Sequence, residues 1–265
     1  MLCSEFPMTN EKEVQVQDNN NKRPSALVVL PVYNEEKAVR KGVETLISFL
    51  NNHDRYEWKV VIADNNSNDR TAEIGRELES ENPIVDYLHI PRKGRGIALR
   101  TAWEQTDCDF VSYMDIDLST GLEALIRAID LLNAGADVVV GNRLDRKSNI
   151  KRSFKREFVS RSYNIAIKIA LGTHFQDAHC GFKTGRSEAV KKILPYINDN
   201  EWFFDTEFLF YGEKLGYKIE EIPVSWIEDM DTKAKIFKDA YDDLRGLYRL
   251  RFHNKLKSSN GYGKG

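Results

Sequence analysis

Asp115 and Asp117 stand two residues apart at the end of an apolar run, in FVSYMDIDLST over 110–120. On an extended backbone, residues i and i+2 point the same way, so their carboxylates would converge. Two converging carboxylates can hold one hard divalent cation, Mg2+ or Mn2+. Such a cation can hold a diphosphate and take up the charge that develops as it leaves. The tripeptide alone is not specific, since Asp-x-Asp recurs at Asp107–Asp109 and Asp229–Asp231, in neither case after an apolar run. Asp64 ends a second apolar run, KVVIAD over 59–64.

The elements that must position these acids alternate along the chain. Short apolar runs at 26–32, 59–64, 85–90, 110–115 and 136–142 read as strands, most of them apolar on both faces, as in a sheet covered by helices on each side. Val39, Val43, Leu46, Ile47 and Leu50 fall on one helical face, as do Leu122, Leu125, Ile126, Ile129 and Leu132. Thr120-Gly-Leu-Glu123 has the spacing of a capping box, which predicts a helix just after the Asp pair. The fold class is therefore α/β, a doubly wound sheet, in which ligands sit beyond the carboxyl ends of the strands. Asp64, Asp115 and the Pro31–Glu35 turn should face one crevice. No Gly-x-Gly-x-x-Gly follows the first strand, which argues against a dinucleotide-binding Rossmann protein.

The 265 residues are enough for a substantial core, and 41% hydrophobic with 30% charged residues suits a soluble globular protein. A net charge of −2 argues against nucleic acid as a partner. Cys3, Cys108 and Cys180 match no metal spacing; an odd, scattered set suggests a reducing compartment, with Cys108 and Cys180 as small buried groups. Residues 1–25 lack the apolar core of a signal peptide and read as a disordered polar leader, 26–256 as the folded domain, and 257–265 as a flexible tail. No stretch approaches the roughly 20 apolar residues of a membrane span. Between Arg143 and Lys168, however, nine basic residues face two acids, interleaved with Phe154, Phe158, Tyr163 and Ile165, and Gly172 is placed to end the helix. Such a segment, 143–171, can lie on an anionic membrane surface or pack on the domain as a solvated basic helix. The basic, amphipathic stretch Leu244–Leu256 is a second candidate contact.

Eight motifs in order, VVLPVYNEE (28–36), VVIADNNSND (60–69), KGRGIALR (93–100), DIDLST (115–120), GNR (141–143), DAHCGFK (177–183), WFFDTEFLF (202–210) and EIPVSW (221–226), resemble glycosyltransferase family 2. Within that family they resemble the polyprenyl-phosphate sugar synthases, above all the dolichyl-phosphate glucosyltransferases and less closely the mannosyltransferases. The resemblance runs from Ala26 to Phe252 and implies a GT-A fold, a mixed Rossmann-like sheet with helices on both faces. It implies that Pro31, Tyr33, Glu35 and Asp64 cradle the base and ribose of a nucleotide sugar, where relatives often carry Asp at the position of Asn65. Gly94-Arg95-Gly96 matches a Gly-Lys-Gly turn that lets backbone approach the nucleotide. Asp115 and Asp117 match the metal-binding Asp-x-Asp, with Asp117 favoured as the direct ligand. Arg143 and Arg156 match basic positions that meet the acceptor phosphate. Lys233 falls in a loop over the site, although Asp231 and Thr232 depart from the usual Gly-Ser.

The residues fit such chemistry on their own terms. A hydroxyl acceptor needs a general base, whereas a phosphate monoester is already anionic near neutral pH and needs cations to bring it to the donor. The expectation is an inverting, metal-dependent transfer of glucose from UDP-glucose to dolichyl or another polyprenyl phosphate. It would be carried out by a cytoplasmic protein, peripheral on the cytosolic face of a membrane. GDP-mannose as donor, a glycan hydroxyl as acceptor, and a non-catalytic scaffold stay open. Plainer roles also stand beside each residue. Asp64 could cap a turn, Glu35 could favour a helix dipole, Arg143 could be a surface residue, and His179 could make a local hydrogen bond. The aromatic set Trp202, Phe203, Phe204, Phe208 and Phe210 could be core. Asp205 and Glu207, two apart on a helix, do not share a face, so one would be structural and the other would line the site.

Overall fold

The computed structural model describes residues 23–151, 154–227, 236–254 and 256, with backbone alone over 151, 154–159, 227 and 236–241. The chain runs through β1 (Ser25–Val32), α1 (Val39–Leu50), β2 (Glu57–Asp64), α2 (Thr71–Glu81), β3 (Val85–His89) and α3 (Arg95–Gln105). It continues with β4 (Phe110–Met114), α4 (Glu123–Asn133), β5 (Val138–Asn142), β6 (Asn149–Lys151), α5 (Phe154–Leu171) and β7 (Phe182–Arg186). The last elements are α6 (Ser187–Ile193), α7 (Phe204–Lys214), β8 (Ile219–Pro223), β9 (Ser225–Ile227) and α8 (Ile236–His253). The five expected strands are all present. The leader (1–22) and tail (257–265) lie outside the described residues.

Seven strands form one sheet in the order β3-β2-β1-β4-β7-β5-β8, and β6 pairs with β9 separately. β1 to β4 are mutually parallel, β7 is antiparallel to both β4 and β5, and β8 is parallel to β5. The sheet is thus mixed, and the run of apolar residues in β1 is explained by cover on both faces. Ala26, Val28, Leu30 and Val32 pack with Val43 and Leu46 of α1 and Leu125 and Ile129 of α4. Leu27 and Val29 face the other way, into a second cluster with Leu99 and Trp103 of α3 and Phe204 and Phe208 of α7. Each such side chain contributes about 1.5–3 kcal/mol by full burial.

Two local expectations are corrected. The helix after the Asp pair exists, but Leu122 precedes it with no side-chain cap; Thr120 instead makes an isolated bridge to Trp226. The capping-box spacing is overridden because the backbone here is engaged by β9, with the Gly121 N–H donating to the Ser225 carbonyl at 3.0 Å. β4 also stops at Met114, so Asp115 and Asp117 are not on extended chain. A turn closes there, with the Leu118 N–H donating to the Asp115 carbonyl at 2.9 Å and Leu118 at φ 50°. The α5 helix does end at Gly172, which has φ 63°.

The 198–203 segment, which borders the crevice, is held from behind. Glu207 of α7 is 0% exposed and accepts the Asp199 N–H at 2.8 Å as well as the Asn198 N–H. Its other oxygen accepts Arg249 of α8 at 2.6 and 3.0 Å. Removing this carboxylate leaves two part-buried N–H groups unmatched and Arg249 with Asp199 at 3.5 Å. Glu207→Ala should therefore lower the unfolding free energy by roughly 1–3 kcal/mol in chemical denaturation. A loss below about 1 kcal/mol would assign the staple no structural weight.

Candidate active site

The carboxyl ends of β1, β2 and β4 meet at one crevice, and the Asp pair stands on its floor. Asp115 is half-buried and Asp117 exposed. The Asp115 carboxylate occupies space that only a glycine leaves: a Cβ on Gly181 would lie 1.7 Å from its Oδ2. The Asp115 N–H donates to the Gly181 carbonyl, so the start of β7 fixes the acid from the side. Asp117 Oδ1 accepts the Ser119 N–H at 2.9 Å and its hydroxyl at 2.7 Å, which orients the second carboxylate. Burial, with the neighbouring charges of Asp117 and Asp205, raises the Asp115 carboxyl above its ordinary range, against the pull of Arg95. A carboxylate whose ionisation is opposed by burial and a neighbouring acid is suited to a cation. Among the described residues no third His, Cys, Asp or Glu joins them. That donor set fits Mg2+ or Mn2+, which take one or two carboxylates and complete their shell with water and substrate phosphate.

Beneath Asp115 lies a chain of buried charges. Arg95, at the first turn of α3, has Nη2 at 3.3 Å from Asp115 Oδ1 and Nη1 at 3.4 Å from Asp205 Oδ2. Asp205 is 2% exposed; its Oδ1 accepts the Tyr113 hydroxyl at 2.6 Å and lies 3.1 Å from Lys183 Nζ. Lys183, itself 1% exposed, also donates to the Ala178 and Cys180 carbonyls and to the Tyr113 oxygen. Burial alone would raise the Asp205 carboxyl, but Lys183, Arg95 and the Tyr113 hydroxyl together hold it below its ordinary range. A carboxylate that is buried, paired twice and hard to protonate does not serve as a general base. Of the two acids on α7, Asp205 lies under the site and Glu207 is structural.

At the ends of β1 and β2, Asp64 faces Val32 across the ladder and is fully buried. It accepts the Tyr87 hydroxyl at 2.6 Å and the Ser67 N–H at 2.9 Å, so it does cap the following turn. Asn65 explains its own identity: Nδ2 donates to the Val32 carbonyl at 2.7 Å while Oδ1 accepts the Gly94 N–H at 3.3 Å. An Asp could accept but not donate. Pro31 and Tyr33 flank Val32, and Lys93 Nζ sits 3.7 Å above the Tyr33 ring, a cation–π contact across the crevice. Glu35 lies in the turn before α1, where its carbonyl accepts the Ala38 and Val39 N–H groups. Gly94 has φ 144°, and a Cβ there would meet the Asn200 carbonyl oxygen at 2.4 Å; a Cβ on Gly96 would meet Phe204 Cβ at 2.7 Å. The glycines of this turn are therefore required by the 198–204 segment packed against them.

On the opposite side, Arg143 is already paired. Its Nε and Nη2 form a fork on Asp177 at 2.8 and 2.9 Å, and its N–H donates to the same carboxylate at 3.0 Å. Burial would raise Asp177, yet Arg143 holds it below its ordinary range. Arg156 belongs to α5, but its side chain lies outside the described residues, as does all of Lys233. His179 stacks on Tyr163 with ring centroids 4.5 Å apart, and its Nε2 is covered with no hydrogen-bond partner among the described residues. Phe203, Phe204, Phe208 and Phe210 are core, but Trp202 is exposed and lies over the Arg95 guanidinium. Sequence reasoning assigned no role to Tyr113, Asp177, Gly181 or Lys183. The DAHCGFK motif carried three of them, but nothing in its spacing says that it runs into a strand antiparallel to β4.

The family model for glycosyl transferase family 2 matches residues 27–194, more than half of the chain. The chain is a member of that family. It is 36% identical over 218 residues to glycosyltransferase AglD of Haloferax volcanii, a match covering 80% of this chain and 34% of AglD. It is 30% identical to a dolichyl-phosphate beta-glucosyltransferase of Trichomonas vaginalis, covering 79% of this chain and 68% of that one. The dolichyl-phosphate beta-glucosyltransferase of Saccharomyces cerevisiae is 28% identical, over 84% of this chain and 73% of its own. This chain thus spans about a third to three quarters of the length of these relatives. Among solved structures, glucosyl-3-phosphoglycerate synthase from Mycobacterium tuberculosis, crystallised with Mn2+, UDP and glucosyl-3-phosphoglycerate, superposes with a TM-score of 0.63. At 20% identity over 86% of this chain and 80% of that one, the likeness concerns the fold, which is of the GT-A type expected for family 2.

Burial lowers the His179 imidazole to about 4, against an ordinary 6.5. The folded family 2 domain therefore binds fewer protons than the unfolded chain between those values, so stability should fall as pH drops through this window. The excess slope approaches one proton, roughly 1.4 kcal/mol per pH unit. Denaturation at stepped pH should show this segment flattened in His179→Gln. An identical slope in the variant would remove His179 as its source.

Proposed function

We propose that this protein is an inverting glycosyltransferase that moves a hexose, glucose from UDP-glucose, onto a polyprenyl phosphate such as dolichyl phosphate, its product feeding lipid-linked glycan assembly. The observation that carries the reading is the pairing of an accessible Asp115–Asp117 site with the absence, among the described residues, of a buried acid free to act as a base beside it. Asp205, the nearest buried acid, is neutralised by Arg95 and Lys183. An acceptor that arrives already ionised, as a phosphate monoester does, needs no proton removed. The relatives named as dolichyl-phosphate beta-glucosyltransferases support both the acceptor class and the sugar. The Mn2+ and UDP held by the mycobacterial synthase support a metal-assisted nucleotide donor.

In this reading Asp64, with Pro31, Tyr33 and Glu35, holds base and ribose, and Asp115 and Asp117 hold Mg2+ or Mn2+. When bound, that cation stabilises the negative charge on the departing diphosphate. The chain adds the amino end of α3, where the helix dipole and the Arg95 charge favour an anion. Arg143 orients toward the acceptor phosphate; its Nε and Nη2 are committed to Asp177, so contact falls to Nη1. Arg156 and Lys233 are proposed to supply further positive charge to that phosphate. Attack from the far side of C1 inverts the anomeric centre.

We read the protein as peripheral on the cytosolic face of a membrane. Among the described residues no helix is long and apolar enough to cross one. α5 and α8 pack on each other and leave Ile165, Ile169, Leu244, Tyr248 and Phe252 exposed, beside exposed Arg161, Arg245 and Arg251. Apolar groups rimmed by arginines suit an anionic lipid surface.

The direct test is transfer of radiolabel from UDP-glucose, and in parallel from GDP-mannose, into solvent-extractable lipid with short polyprenyl phosphates, with Mn2+ or EDTA. Metal-dependent label from UDP-glucose is expected, and Asp117→Ala should lower the rate about 100- to 1000-fold. Label only from GDP-mannose would replace the sugar, and none from either would overturn the reading. Ile169→Ser, Leu244→Ser and Phe252→Ser combined should release the protein from vesicles of phosphatidylserine and phosphatidylcholine. Undiminished sedimentation would show that this face is not the membrane contact.

A further inference from the structure

Trp202 departs from its neighbours. The four phenylalanines that follow it in WFFDTEFLF are buried, yet Trp202 is 56% exposed on the segment that packs against the Gly94 turn. Its ring lies 4.7 Å from the Arg95 guanidinium carbon, and the buried Tyr113 ring lies 4.8 Å from the same carbon. Arg95 therefore touches two aromatic rings, one sealed in the core and one open to the crevice.

Arg95 itself is unfinished. Its side chain is only 9% exposed, and Nε and Nη2 are covered without a hydrogen-bond partner among the described residues. Nη2 approaches Asp115 at ion-pair distance but not in hydrogen-bond geometry. Arg95 lies against one face of the indole, so a ligand meets Trp202 on its outer face, one guanidinium away from Asp115. A prenyl chain could use that face, but its phosphate belongs with Arg143 on the opposite side. A nucleobase could use it, but Tyr33 and Asp64 on the other side of the crevice suit the base. A hexose offers an apolar C–H face to an indole.

We propose that Trp202 is a specificity-determining residue whose outer indole face stacks on the transferred hexose of the donor. The inference rests on the reading that Asp115 and Asp117 carry the donor's diphosphate. It adds a discrimination. In glucose every ring hydroxyl is equatorial, so both ring faces present C–H groups. An axial hydroxyl, as at C4 of galactose, sets a polar group on one face only, so the stack discriminates when the indole meets that face.

The test is calorimetric binding of UDP, UDP-glucose and UDP-galactose, with Mn2+, to the full chain and to Trp202→Ala and Trp202→Phe. An exposed residue can be truncated without emptying the core, and Trp202→Phe keeps an aromatic face should the alanine variant fold poorly. Trp202→Ala should weaken UDP-glucose about tenfold while leaving UDP within about twofold, with Trp202→Phe between, since an aromatic stack is worth about 0.5–1.5 kcal/mol. The preference for UDP-glucose over UDP-galactose should shrink with it. In the unmodified protein UDP-glucose should quench tryptophan emission more than UDP does, and the difference should vanish in Trp202→Phe. Equal weakening of UDP and UDP-glucose would overturn the proposal and leave Trp202 as a cover for Arg95. Unchanged nucleotide binding with a raised KM for the acceptor would overturn it in favour of an acceptor contact. If the unmodified protein binds UDP but shows no gain or selectivity from the sugar, the platform fails while the donor reading survives. If it binds none of the three, both fall.

Discussion

A carboxylate removed from water has to be met by positive charge, and Asp205 is met twice. Arg95 reaches it from α3 and Lys183 from β7, while Tyr113 donates to it from β4. Four elements distant in sequence are thereby fixed around one buried anion. The geometry above depends on that joint, because Arg95 carries its other contact up to Asp115. Losing the anion would leave two buried cations facing each other, a far larger disturbance than losing a surface pair. The network balances two acids, Asp115 and Asp205, against two cations, Arg95 and Lys183.

Much of this was legible in the sequence, for reasons that differ by residue. The five strands could be read because short runs apolar on both faces, separated by amphipathic helical stretches, have few alternatives. Asp64 and Asp115 could be placed because acids that end such runs sit at the carboxyl edge, where parallel sheets present their ligands. The turn that carries Asp117 could not be read as a turn. Its residues are ordinary, and the bend is imposed by packing against the start of β7 and by β9. The same β9 contact displaced the expected cap of α4. Lys183 was quoted within a motif but given no role, since a lysine in a strand reads as solvent-facing until its partner is known.

Asn65 and the glycines at 94 and 96 teach a related lesson. Each stands at a position associated with the nucleotide, yet each is required by protein contacts. Asn65 ties two strand ends to the α3 turn through an amide that both donates and accepts. The glycines admit the 198–204 segment, which is itself anchored by Glu207. The wall formed by the Gly94 turn and the wall that bears Trp202 are therefore built against each other, and a change in one is felt in the other.

The reversed direction of β7 has its own consequence. A parallel strand presents to the crevice the residues that follow it, whereas β7 presents those that precede it. The loop ending at Gly181 is thus delivered beside Asp115, and the corner at Arg186–Ser187 is sent to the far edge of the sheet. Changes of length in the chain are therefore not equivalent on the two sides of this one strand. An insertion after Arg186 adds bulk at the far edge of the sheet, away from the Asp pair. A single residue added just before Phe182 moves Gly181 out of register and puts a side chain where the Asp115 carboxylate has to be.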